Sequence, residues 1–272
     1  MRENRRFESR PGSAPSAFLD LPRRSTKPRR TGRTHVLDVG HPLSTVEAVL
    51  GSRADLIDLW KFGYGTAYID AEVAAKVALL HRHDVAPCVG GTFLEISWLQ
   101  NRTHECLAWA AEVGFRCVEV SNGTVPMSKD DKRGLIKRAA EEFAVVSEVG
   151  SKNPADPVEP ATWRDDMLGD LEAGAVLMLA EGRASGTVGL YRSDGSVREE
   201  LVEVLLADVG DQVVFEAPRT AQQAWFVRRL GAEVNLANID VTAALSVEAL
   251  RLGLRADTMR MDGGGGRVEP WS

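Results

Sequence analysis

Eight short apolar runs, each followed by a stretch of helical pattern, constrain this chain more than any other feature. The runs cover residues 35–39, 56–61, 85–89, 115–120, 143–148, 175–181, 212–216 and 233–237. Helical patterns lie between them at 70–82, 103–113, 129–142, 163–173, 199–206, 221–230 and 246–252. Three helical stretches end on glycine stop signals, at Val113-Gly114, Ala173-Gly174 and Leu230-Gly231. Strands that alternate with helices imply parallel βαβ units. Eight of them match a single-domain α/β fold, the (β/α)8 TIM barrel, and 272 residues suit it. A doubly wound sheet is the competing arrangement. It calls for a glycine-rich first turn, and no GxGxxG follows the first run.

The expected domain layout is a basic, proline-containing extension at 1–33, a barrel at 34–261 and a flexible glycine-rich tail at 262–272. Residues 1–33 carry ten Lys/Arg against three acids, a net +7, which leaves −13 for the rest of a chain of net charge −6. A basic arm on an acidic body raises the question of nucleic acid, but no RNA- or DNA-binding signature accompanies it. An extension docked on its own body or on a neighbouring subunit is the expectation, with no nucleic-acid partner and a homo-oligomeric state. No apolar run approaches the roughly 18 residues of a membrane span, and no secretory h-region is visible. Three scattered cysteines give neither a disulfide framework nor a CxxC metal site. A reduced, cytoplasmic protein with no membrane partner is expected.

In a barrel the C-terminal ends of the strands carry the chemistry. Here those positions are charged. Asp38 ends the first run and Lys61 the second, and Glu95 follows the third beyond Gly90-Gly91-Thr92. Glu119 with Ser121-Asn122, Glu148 with Lys152, Glu181 with Arg183, and Glu216 close the next four, while Asn235 and Asn238 mark the eighth. Acids inside apolar runs are costly to bury unless they are paired or bind a metal. Six of them at one face favour a shared site, and carboxylates with open positions suit Mg²⁺. Lys61, Lys152 and Arg183 would hold an anion or transfer a proton. His81-Arg82-His83 is expected to face solvent, Cys88 and Cys117 to be inert core residues, and Trp98, Trp109, Trp163 and Trp225 to pack on the barrel.

Several segments, in order, resemble the phosphosulfolactate synthase family. They are Lys61-Phe62-Gly63-Tyr64-Gly65-Thr66, Gly90-Gly91-Thr92-Phe93-Leu94-Glu95, Val120-Ser121-Asn122-Gly123-Thr124, Ser147-Glu148-Val149-Gly150-Ser151-Lys152 and Glu181-Gly182-Arg183. Phe215-Glu216-Ala217-Pro218, Gln222-Gln223, Val234-Asn235-Leu236-Ala237-Asn238-Ile239 and Leu250-Arg251-Leu252-Gly253-Leu254-Arg255 continue the likeness, which spans about residues 17–260. The resemblance implies a Mg²⁺-dependent carbon–sulfur lyase. It would add sulfite to phosphoenolpyruvate, giving (2R)-O-phospho-3-sulfolactate, a step of coenzyme M or sulfolactate synthesis. It also implies roles: Lys152 protonates C2, with Lys61 and Arg183 as further catalytic candidates on phosphate or sulfite. Asp38, Gly91, Asn122, Asn235 and Asn238 would line the substrate. Glu95, Glu119, Glu148, Glu181 and Glu216 would ligate metal or orient the lysines. Two positions depart from the pattern: Val39 stands where many members have Lys, and Ala184 where many have a second acid. They leave open a barrel enzyme that adds another nucleophile to an enol phosphate. The family's likeness to a plant heat-stress-associated protein leaves open a non-catalytic binding protein.

Overall fold

The computed structural model describes residues 19–153 and 155–259. β1 (Thr34–Asp38) leads to α1 (Leu43–Arg53), and β2 (Leu59–Phe62) to α2 (Thr66–Ile69) and α3 (Val73–Arg82). β3 (Ala86–Val89) leads to α4 (Gly91–Leu99) and α5 (Thr103–Val113), β4 (Cys117–Val120) to α6 (Lys129–Ala139), and β5 (Ala144–Val149) to α7 (Pro160–Glu172). β6 (Leu177–Ala180) precedes α8 (Glu199–Asp208), β7 (Val213–Glu216) precedes α9 (Thr220–Leu230), and β8 (Leu236–Asp240) precedes α10 (Ala244–Arg251). The strands pair in chain order and parallel, and β8 closes on β1, giving the expected (β/α)8 barrel.

The strands are mostly apolar because both of their faces are covered, and their polar residues gather near their ends. Inward residues Cys88, Cys117, Val146, Leu177, Leu179, Val214 and Ala237 fill the barrel's interior. Outward residues such as Val36, Trp60, Phe62, Val118, Val145, Met178 and Phe215 pack under the helices. Cys88 and Cys117 therefore sit in the interior as free thiols, and burial pushes the Cys88 thiol up. Trp163 is buried, and Trp98, Trp109 and Trp225 lean half-buried on the same core. Among the described residues, no helix is long and apolar enough to cross a membrane.

Three sequence expectations need correction. The eighth strand starts at Leu236 rather than at residue 233, so it lies three residues further along. Glu95, expected among the acids at the strand ends, belongs to a helix, α4. His81 is half-buried instead of solvated, with Nε2 2.7 Å from the Gly114 carbonyl. The tail expected at 262–272 and the first 18 residues of the extension lie outside the described residues.

The described part of the basic extension lies across the N-terminal face of the barrel. Arg24 pairs with Glu233 and, at 3.0 Å, with Glu248. Arg29 reaches Asp58 at 3.3 Å, and Lys27 donates to the Asp84 carbonyl at 3.0 Å. Glu233, Asp58 and Asp84 all lie just before strands, so the described part of the extension covers the bottom of the barrel. Buried Arg251 supports this layer by donating to the Val234 and Arg33 carbonyls.

Candidate active site

Side chains alternate along a strand, so the residue two after an inward apolar one also points inward. That rule builds the site. Lys61 follows Leu59, Glu119 follows Cys117, Glu148 follows Val146, Glu181 follows Leu179, and Glu216 follows Val214. The upper layer of the barrel is therefore charged where the layer below is apolar. These residues line a cavity of about 550 Å³ at the C-terminal mouth, together with Leu37, Gly91, Tyr64, Lys152, Arg183 and Asn238.

Two lysines, one buried and one half-buried, organise the carboxylates. Lys61 Nζ lies 2.8 Å from Glu119 Oε2 and 3.5 Å from Glu216 Oε1. Lys152 Nζ lies 2.9 Å from Glu148 Oε1 and 3.5 Å from Glu181 Oε2. Burial alone would lower both lysines, but the glutamates outweigh it and raise both, so each ammonium holds its proton firmly. Burial would raise Glu148, yet Lys152 and Lys61 hold it down at about 2. Glu181 goes the other way: burial and the charges of Glu148 and Glu216 push it well up. His35 lies one layer below, fully buried, and burial with the nearby Lys61 charge keeps its imidazole neutral. Nothing in the sequence singled it out, since a histidine in the first strand reads as core.

Four buried carboxylates face two lysines here, a formal excess of two negative charges. Such a buried excess is relieved by a proton, as at Glu181, or by a bound cation. Glu148, Glu181 and Glu216 each offer one oxygen, and the three oxygens lie within 4.8 Å of one another. Glu148 Oε1 and Glu181 Oε2 are buried, and both face the single ammonium of Lys152. The three glutamates therefore fit a hard divalent ion such as Mg²⁺, which takes oxygen ligands.

The other acids have different work. Glu119 divides its oxygens between Lys61 and the Gly91 amide, 2.9 Å away. Glu95, on α4, accepts from Ser121 Oγ at 2.9 Å and from the amide and hydroxyl of Thr124. Its oxygens pin the loop after β4, so it stands apart from the three that group. Gly91 has no room for a side chain: a Cβ there would collide with Ser121 Oγ and stand 3.1 Å from Glu119 Oε1. The close approach of α4 to β4 thus depends on a glycine.

Three expected substrate residues point elsewhere. Asp38 follows inward Leu37 and so faces outward; it is fully buried, accepting from the Gly40 and His41 amides and from Trp60 Nε1. Asn235 precedes β8 instead of ending it. It accepts from the Arg33 amide and donates to the Asp211 and Val213 carbonyls, at the opposite end of the barrel. The misplaced eighth strand is the cause. Asn122 donates to the Met127 carbonyl and borders a neighbouring cavity rather than this one. Asn238 does reach the pocket, with a buried Oδ1 that has no partner among the described residues.

Backbone strain collects here too. The described non-glycine residues with positive φ are Tyr64, Asp84, Asn101, Arg183 and Asn238, and three of these five line the cavity. Strain of this kind gathers at functional sites. Arg183 is held by its own amide, which donates to Glu181 Oε1 at 2.5 Å and Glu216 Oε2 at 3.1 Å. Its exposed guanidinium donates to the Lys152 carbonyl at 2.9 Å, so it bridges the loops after β5 and β6.

Comparison with known proteins follows the same lines. The phosphosulfolactate synthase of Bacillus subtilis is 38% identical over 244 residues, covering 88% of this chain and 97% of that protein. That of Methanothermobacter thermautotrophicus is 38% identical over 249 residues, covering 89% and 96%. Among solved structures, 3-hexulose-6-phosphate synthase from Salmonella typhimurium superposes with a TM-score of 0.52 at 14% identity, covering 84% of this chain and 93% of that one. That last likeness concerns the barrel alone. The model of the (2R)-phospho-3-sulfolactate synthase (ComA) family matches residues 22–257, nearly the whole described chain. With relatives this similar over this much of its length, the chain belongs to the (2R)-phospho-3-sulfolactate synthase (ComA) family.

Proposed function

We propose that this chain adds sulfite to phosphoenolpyruvate to form (2R)-O-phospho-3-sulfolactate, as a Mg²⁺-dependent lyase. The observation that carries this reading is the trio Glu148, Glu181 and Glu216, whose oxygens gather within 4.8 Å of one another beside Lys152, in a chain of this family. Those three glutamates would hold Mg²⁺, which when bound supplies positive charge to the substrate carboxylate.

The sulfite sulfur lone pair forms the C–S bond at C3 of the enol phosphate, and the C2=C3 electron pair moves into the carboxylate as an aci-carboxylate. Return of that pair to C2 takes up a proton, and Lys152 supplies it. Its ammonium lies at the cavity wall, 16% exposed and protonated at neutral pH. The glutamates that hold this proton are also candidate metal ligands, so their charge is shared between lysine and cation. That sharing eases proton release. Protonation from one wall fixes the configuration at C2, and solvent restores the lysine. Lys61 and Arg183 supply charge for the phosphate and sulfite oxyanions, and the unpartnered Asn238 Oδ1 takes a donor or an ordered water.

The test is loss of phosphoenolpyruvate in the presence of sulfite and Mg²⁺. Turnover is expected only with both. Loss that is independent of sulfite, or its absence with both present, contradicts the reading. Ala184 lies in the cavity wall, where the family pattern carries an acid, so the same assay run with other nucleophiles checks the alternative addition.

A further inference from the structure

Gly63-Tyr64-Gly65-Thr66 forms a tight turn between β2 and α2. Tyr64 and Gly65 both have positive φ, 55° and 70°, and the Thr66 amide closes the turn on the Gly63 carbonyl at 3.0 Å. This is the type I′ arrangement, which glycine and asparagine adopt readily and a bulky aromatic residue does not. The turn is firmly anchored. The Gly63 amide donates to the Asp38 carbonyl at 2.8 Å, and Thr66 Oγ1 donates to the Gly63 carbonyl at 2.8 Å. A Cβ on Gly63 would stand 2.6 Å from Leu37 Cδ1, so the turn packs closely on β1. At the tip, the Tyr64 side chain lines the catalytic cavity and yet is 60% exposed.

A large ring has thus been placed where the backbone favours a small residue, on a rigid mount at the mouth of the site. We infer that Tyr64 is a substrate-covering residue, its ring folding over bound phosphoenolpyruvate to shield the reacting carbons from bulk water. This rests on the function proposed above. A fixed backbone with a free side chain lets the ring close over the mouth by rotation about its own bonds. Covering one face of a bound ligand excludes water without a moving loop.

Tyr64→Asn and Tyr64→Phe separate this role from a structural one. Asparagine suits the turn, so Y64N is expected to melt at or above the wild-type temperature. Its KM for phosphoenolpyruvate should rise about tenfold, the order of magnitude for an uncovered ring face. Y64F should stay within about twofold of wild type. Calorimetric binding of phosphoenolpyruvate with MgCl₂ repeats the comparison without sulfite. If the wild type binds phosphoenolpyruvate but does not consume it, the sulfite reading fails while this inference is still judged by binding. Wild-type KM and affinity in Y64N would overturn it. A loss in Y64F equal to that in Y64N, a lowered melting temperature in Y64N, or no binding by the wild type would overturn it as well.

Discussion

Lys61 and Lys152 have the same type of side chain in the same pocket, yet removing them should do different things. Lys61 is enclosed between Glu119 and Glu216. Lys61→Ala strands two buried carboxylates, a defect that typically costs about 3–5 kcal/mol. A lowered denaturation midpoint is the expected result. Lys152 stands at the cavity wall beside Glu181, which burial and neighbouring charge already push towards its neutral form. Lys152→Ala also leaves the buried Glu148 without its nearest cation, so its midpoint should fall too, but by less than in Lys61→Ala because Lys152 is partly exposed to water, while kcat falls by about 10²–10⁴, the usual scale for a lost general acid. Steady-state rates with melting curves on both variants check the contrast. Glu181→Gln should raise the Mg²⁺ needed for half-maximal rate by at least about tenfold, the lower end for weakened metal sites. The residue types of this site were legible in the sequence, because acids and lysines closed successive apolar runs. Their facing was not. Asp38 and Lys61 each close a run, but one follows an inward residue and the other is itself inward. Only the barrel's register separates them.

Among the elements, α4 and β8 show where periodicity stops informing. α5 is readable at both ends because Thr103–Val113 alternates cleanly and stops at Gly114. α4 begins with glycine and is apolar on nearly every side, so no face stands out. Its position nonetheless sets the site, through the Gly91 amide on Glu119 and the contact with Ser121. Gly91→Ala should therefore destabilise the fold by about 1–3 kcal/mol, the range for overpacking. It should also lower kcat/KM, readable in a denaturation series alongside rates. The apolar run around β8 starts ahead of the strand because Val234 precedes Leu236, while Asn238 and Asp240 interrupt the strand itself. The docked extension gives a prediction with a pH sign. Burial would raise Glu233, but hydrogen bonds from Ser25 and the Arg24 charge outweigh it and lower it. A lowered carboxylate stabilises at pH above its unfolded value near 4.3 and loses that contribution as pH falls through its folded value. The melting difference between wild type and Glu233→Gln should be present at pH 7 and shrink on acidification below about pH 4.

For the molecule as a whole, the barrel sorts charge by end. The described part of the basic extension meets acids at the N-terminal face, while at the other mouth four buried carboxylates outnumber two lysines. Eight alternating runs made the architecture legible, since few folds accept eight parallel strands in chain order. The charge imbalance at the mouth was legible only as a list of acids. Closure of the sheet turned it into a site by bringing β5, β6 and β7 side by side. The central claim is that this mouth joins sulfite to C3 of phosphoenolpyruvate and protonates C2. Carbon NMR of a reaction run in D₂O with phosphoenolpyruvate labelled at C3, sulfite and Mg²⁺ tests it most directly. A sulfonated C3 beside a C2 bearing one deuterium is the predicted product. Unreacted enol phosphate, or a C3 without sulfur, would contradict it.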